Sequence, residues 1–124
     1  MKLIYTDQAP AAVGPYSQAV QLSNGFLYIS GQLGFDPKTM VLGTDIQTQA
    51  SQVLANINAI LIAANYNKNN VVKTTILLKD INDFSVVNEV YETFFGLHKP
   101  ARSTFAVKDL PKAGLVEIEI IAFK

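Results

Sequence analysis

Cysteine is absent from the 124 residues. Disulfides, thiolate metal sites and cysteine nucleophiles are thereby excluded, and the chain suits a reducing compartment. Histidine is scarce as well: His98 is the single one, so no histidine-based metal cluster can be assembled and a Ser-His-Asp arrangement has no second candidate. The place of His98 in a proline-terminated loop predicts an exposed, ordinary side chain. Charge of one sign is not in excess. Ten basic and ten acidic side chains give a formal net charge of zero, with no run of like charges, so nucleic acid is not an expected partner. No apolar run approaches the ~18–20 residues that a membrane span needs, and Met1 to Asp7 carry no signal-peptide core. The expectation is a cytoplasmic protein without a membrane partner. Phosphate-loop and Gly-x-Gly-x-x-Gly motifs are missing, and there is no internal repeat.

What is present suits one domain over residues 1–124. Of these, 49% are hydrophobic and 16% charged, enough to bury about two-thirds of the unfolded surface. Residues 3–6 predict a short edge strand, and the proline in Ala9-Pro10-Ala11-Ala12 makes that stretch a connection. Tyr16 to Leu22 and Phe26 to Ser30 flank Ser23-Asn24-Gly25, where Asn-Gly signals a hairpin because both residues tolerate positive φ. Strand character continues through Gly31-Gln32-Leu33-Gly34-Phe35, whose glycines point to a bulge or a close backbone approach. Thr44 and Gln47 have capping-box spacing, and Ile46, Ala50, Val53, Leu54, Ile57, Ile60, Leu61 and Ala64 then recur on one helical face. Val71 to Leu78 reads as a strand. A second helix follows, capped by Asn82 or Asp83, with Phe84, Val87, Val90 or Tyr91, and Phe94 inside and Gly96 past its end.

The last pair of strands falls at about 102–108 and 115–123. The order is β-β-β-α-β-α-β-β, an α+β fold of two layers with both helices on one face of a mixed sheet. On the final strand Val116, Ile118, Ile120 and Ala122 form an apolar face that should meet the helices. Leu115, Glu117, Glu119, Ile121 and Phe123 point the other way, too apolar for water alone and too charged for a private core. That face predicts a subunit interface, and a site containing Glu117 would then lie between protomers.

Arginine and glutamate on such strands need partners of opposite charge. Arg102 has a planar fork of donors that suits a carboxylate ligand, or else it forms a structural salt bridge with Glu117 or Glu119. Glu117 is a candidate general base or water-positioning group, and the same ion pair is its alternative. Glu119 shares its face. Tyr16 offers a ring and a hydroxyl after a turn, with packing as its other use. Ser30 and Gly31 can present backbone to an anion or simply form the bulge. Asn88 is a polar residue in an apolar helix and reads first as a surface residue.

Four of these segments, in order, resemble one family. Gly14-Pro15-Tyr16-Ser17-Gln18-Ala19, Ser30-Gly31-Gln32, Phe84 to Phe95 with Val87-Asn88, and Pro100-Ala101-Arg102-Ser103 with Leu110-Pro111-Lys112 and Val116-Glu117-Ile118-Glu119 are similar to the RidA (YjgF) family. The resemblance implies a homotrimer of chorismate-mutase-like subunits, with a central barrel and three clefts between subunits. It also implies a cofactor-free, metal-free deaminase that hydrolyses 2-enamine and 2-imine acids, such as 2-aminoacrylate and 2-aminocrotonate, to 2-keto acids and ammonia. In that reading Arg102 holds the substrate carboxylate, Gly31 and Thr104 contribute backbone contacts, Glu117 positions or activates water beside Arg102 as an ionised group, and Tyr16 covers the site. Ser30 and Asn88 line the cleft. Many active members carry cysteine where this chain has Thr104, which removes any role that needs a thiol. A second class of function uses the same cleft without turnover, as a metabolite-binding or regulatory module. Ribonuclease activity, also attached to the family, is disfavoured by the neutral charge and lone histidine.

Overall fold

A computed structural model describes residues 1–124. The chain runs β1 (Lys2–Ile4), β2 (Ala19–Gln21), β3 (Phe26–Leu33), α1 (Ile46–Ala63), β4 (Val71–Leu78), α2 (Phe84–Phe95), β5 (Ala101–Ala106) and β6 (Val116–Phe123), in the expected order of elements. All six strands form one sheet in the order β1-β2-β3-β6-β4-β5. Only β4 and β5 pair in parallel. Parallel neighbours need a crossover, and α2 supplies it between β4 and β5. Helix α1 carries the chain from β3 to β4 and leaves a gap between them, which β6 fills by pairing antiparallel with both.

The two strands read as a last pair are therefore not neighbours. β4 lies between β5 and β6, and each pairs with it instead.

Alternation on β6 decides which face is covered. Val116, Ile118, Ile120 and Ala122 are all buried and join Ile57, Ile60 and Leu61 of α1 and Val87, Tyr91 and Phe95 of α2 in one core. The expected inner face of α1 is buried along its length, apart from Ile46, which packs partly against the core. On α2 the buried residues are Val87, Tyr91 and Phe95, whereas Phe84 at its start stays exposed. The opposite side of the sheet is open: Tyr28, Phe105 and Phe123 are each between 44% and 49% exposed there.

Two local expectations are corrected. Helix α1 is capped by Asp45 and not by a Thr44–Gln47 box: the Asp45 carboxylate accepts from the Thr48 backbone N–H at 2.8 Å and from the Thr48 hydroxyl at 3.0 Å. An anion at the positive end of the helix dipole outcompetes a neutral hydroxyl one residue earlier, and the Thr48 backbone bond holds the Asp45 carboxyl below its ordinary range. In the first hairpin only Gly25 has positive φ, at 96°. Leu22 N–H donates to the Phe26 carbonyl at 2.8 Å and Gly25 N–H to the Leu22 carbonyl at 3.2 Å. The connection is thus a three-residue loop with glycine in its left-handed position.

Buried amides tie the layers together. Asn56 of α1 donates to the Leu33 and Phe35 carbonyls at 3.1 and 3.0 Å, fixing the end of β3 against the helix. Gln49 donates to the Gly43 carbonyl at 2.7 Å and accepts from Leu115 N–H at 2.8 Å, fixing the start of β6. A Cβ on Gly34 would come within 2.7 Å of the Gln49 carbonyl, so the close approach expected of that glycine is real. No helix is long and apolar enough to cross a membrane. Replacing Asn56 by Ala leaves two inward carbonyls without donors and should lower the unfolding free energy by about 2–4 kcal/mol. Urea unfolding measures it, and a loss under about 0.5 kcal/mol would contradict the assigned role.

Candidate functional site

Glu117, the second residue of β6, lies on the open sheet face and pairs with Leu33 at the end of β3, just past an irregularity in that strand. Pairing between these strands shifts register between Ile29 and Gln32, which makes the expected bulge at Ser30 and Gly31. The bulge brings the Gly31 backbone against the Glu117 side chain. A Cβ on Gly31 would overlap the carboxylate and lie 2.9 Å from its Cδ. Glycine at position 31 is the condition for Glu117 to lie where it does.

The Glu117 carboxyl is half-buried. Burial pushes it above its ordinary value, and the nearby negative charge of Glu119 adds in the same direction. Within the subunit it has no cation, because the single salt bridge joins Lys79 to Asp109 at 2.6 Å on the surface. Within one chain, then, Arg102 does not lie beside Glu117, and the carboxyl is raised.

A cavity of about 470 Å³ opens over this carboxylate. Tyr16, Ser30, Gly31 and Glu117 all line it, together with Glu119 and Lys112. Its outer wall is the segment Pro10 to Tyr16, and two side chains hold that wall. Gln18, buried to 2% exposure, accepts from Thr6 N–H at 2.7 Å and donates to the carbonyls of Thr6 at 3.0 Å and Pro10 at 2.9 Å. The Ser30 hydroxyl donates to the Ser17 carbonyl at 2.6 Å. Ser30 thus spends its hydroxyl on the strap that carries Tyr16. In the sequence Gln18 is legible as part of the Gly14 to Ala19 segment but carries no role of its own, since nothing local to it marks the loop carbonyls it serves.

Arg102 stands on the other face. Its β4 neighbour is Thr74, which is fully buried beneath α2, so Arg102 projects toward the helix layer and Glu117 away from it. The guanidinium lies 4.9 Å from the centre of the Tyr91 ring and 5.7 Å from that of Phe84, stacking that positions a cation without neutralising it. The Tyr91 hydroxyl and Thr74 Oγ1 are 2.8 Å apart; burial raises the Tyr91 phenol, opposed by that bond and by Arg102. A structural salt bridge from Arg102 to Glu117 or Glu119 is therefore excluded within the subunit by facing and by the intervening β4.

Around Arg102 a second cavity of about 490 Å³ includes Asn88, Tyr91 and His98. Asn88 is half-buried, so it lines a cleft beside Arg102 where a plain surface place was the first expectation. His98 is not the exposed residue expected: it is half-buried, with Nε2 2.7 Å from the Val71 carbonyl. Thr104 shares the Arg102 face two residues along, and its Oγ1 is the one buried side-chain polar atom without a hydrogen-bond partner. The seven expected site residues thus fall into two groups, Tyr16, Ser30, Gly31 and Glu117 at one cavity and Arg102, Asn88 and Thr104 on the opposite face. No cluster of three or more His, Asp or Glu side chains could hold a metal ion.

The family described as Endoribonuclease L-PSP matches residues 6–124, a family whose members also carry the names YjgF and RidA. The chain belongs to it. A RutC family protein of Pyrococcus horikoshii is 52% identical over 124 residues, covering 99% of this chain and 98% of its own. The 2-iminobutanoate/2-iminopropanoate deaminase of Bos taurus is 53% identical over 122 residues, covering 98% of this chain and 88% of its own. Among solved structures, RidA from an Antarctic Psychrobacter superposes with a TM-score of 0.97 at 51% identity, covering both chains completely.

The Gly31 contact is directly testable. Because a carboxylate end can swing aside, Gly31→Ala should change stability by less than about 1 kcal/mol. Displacing Glu117 should still lower, on the order of 100-fold, any turnover that uses its carboxylate at this cavity. An alanine variant with wild-type rates would contradict the assigned geometry.

Proposed function

We propose that this chain hydrolyses 2-imino acids to 2-keto acids and ammonia, in a site completed where copies of it meet along the open sheet face. The observation that carries the reading is the separation within one subunit: a stacked, unneutralised Arg102 on one face and a desolvated Glu117 without a cation on the other. Each is half of a site that recognises an anion and moves a proton. Tyr28, Phe105 and Phe123 leave the face between half-apolar, as a surface covered by other copies would be. A homotrimer, with three seams, is the assembly proposed. The imino-acid deaminase name borne by a 53% identical relative supports the same chemistry.

In this arrangement Arg102 of one subunit grips the substrate carboxylate through two parallel bonds. Backbone groups at Gly31 and at Thr104 line the bound acid, with Tyr16 over it and Asn88 and Ser30 at the margins. An enamine first takes a proton at carbon and gives one up from nitrogen, becoming the imine. Water gives one proton to Glu117 as its oxygen bonds to the imine carbon, and Glu117 passes that proton to the nitrogen to form the carbinolamine; the hydroxyl proton then reaches the nitrogen by way of the same carboxylate as the carbon–oxygen double bond forms, the carbon–nitrogen bond breaks and ammonia leaves. Burial raises the Glu117 carboxyl, and a guanidinium brought across the seam favours its ionised form. Opposed influences of that kind suit a group that both accepts and returns a proton near neutrality. No cofactor is needed for these steps; positioning and charge supply the acceleration.

The test couples this protein to a pyridoxal-phosphate dehydratase fed serine or threonine and follows keto-acid appearance. Wild type should accelerate it, whereas Arg102→Ala and Glu117→Ala should stay assembled and lose most of the acceleration, on the order of 100-fold. Ligand binding with no acceleration at any protein concentration would instead favour a metabolite-sensing module.

A further inference from the structure

Met40 has a φ of 57°, the left-handed region where a residue bearing Cβ is disfavoured and glycine is at ease. The turn around it leaves no alternative. The Asp36 carboxylate accepts from Lys38 N–H at 2.8 Å and Thr39 N–H at 3.1 Å. The Met40 N–H donates to the Asp36 carbonyl at 2.8 Å, and the Asp36 N–H to the Val41 carbonyl at 3.0 Å. Thr39 and Val41 on either side are exposed, but Met40 is half-buried and lines the cavity over Glu117. Asn65, Lys112 and Ala113 share this backbone region; what sets Met40 apart is that it holds a large apolar side chain at the cavity wall, and strain at such a place motivates a functional hypothesis.

The surroundings of Met40 define what it can recognise. Leu33, Phe35 and Val13 line the cavity with it, while Gly31 and Glu117 line it where the reacting carbon would lie. Lys112 and Glu119 are the remaining charged groups on its lining. In one chain, before another copy closes over it, the cavity of about 470 Å³ has more room than a methyl or ethyl substituent requires. The unbranched thioether adapts to chains of different length and is polarizable.

We propose that Met40 is a specificity-determining residue, flooring an apolar subsite that takes the substrate side chain and favours 2-imino acids with unbranched aliphatic chains longer than ethyl. The proposal rests on the deaminase reading for the reaction, but its binding component stands apart from turnover.

Calorimetric titration with pyruvate, 2-oxobutanoate, 2-oxopentanoate and 2-oxohexanoate measures that component. Affinity should rise about three- to fourfold with each added methylene in the wild type. Met40→Leu should keep most of this gradient and Met40→Gly should flatten it, with the glycine variant melting within about 3 °C of wild type. A flat series in the wild type, or an unchanged gradient in Met40→Gly, would overturn the proposal. Imines made by oxidising the corresponding amino acids with an amino-acid oxidase then report turnover. A graded affinity without turnover would refute the deaminase reading and leave the Met40 subsite standing.

Discussion

Everything about the candidate site depends on where β6 lies. A strand inserted between β3 and β4 is hydrogen-bonded on both sides, so its alternation is imposed on the whole sheet. Four apolar residues turned toward the helices oblige Glu117 and Glu119 to face the other way, whatever that costs the carboxylates. The cost is visible in the raised Glu117 carboxyl. Gly31 makes room for the side chain.

The same sheet geometry leaves three groups of the single chain without partners. β5 is an edge strand, and Arg102 on it is stacked on Tyr91 and Phe84 without an ion pair, Glu92 being the carboxylate residue that lines the same cavity. Thr104 beside it keeps a buried hydroxyl without a partner. The open face carries aromatic side chains next to glutamates. An unsatisfied cation, a desolvated acid and an uncovered apolar face are separate oddities in one chain. Association of copies would resolve all three, and the proposed site lies where they meet.

Much of this was legible in the sequence because it is periodic. The 3.6-residue recurrence in α1 and the twofold alternation on β6 predict which residues are buried, and the half-apolar face predicts an interface. Gly31 and Gly34 were readable as close approaches because a missing Cβ has few other uses. What stayed hidden is non-local. Strand order cannot be read from strand existence, so nothing in the sequence said that β4 parts Arg102 from Glu117. Buried Gln18, Gln49 and Asn56 look like surface amides until the loop carbonyls and amides they serve are placed. The cap of α1 was misread by one residue because Thr44 and Asp45 are both good caps, and electrostatics at the helix end decides between them. Met40 gave no signal, since its left-handed backbone is set by the turn and not by its own type.

The central claim is that Arg102 of one copy and Glu117 of another serve the same substrate. Mixing Arg102→Ala and Glu117→Ala subunits, each inactive alone, by unfolding and refolding them together at equal concentration tests it most directly. Random assembly of sites that take one residue from each of two subunits should restore about a quarter of wild-type deaminase activity. Mixed assemblies that form and remain as inactive as their parents would contradict the account.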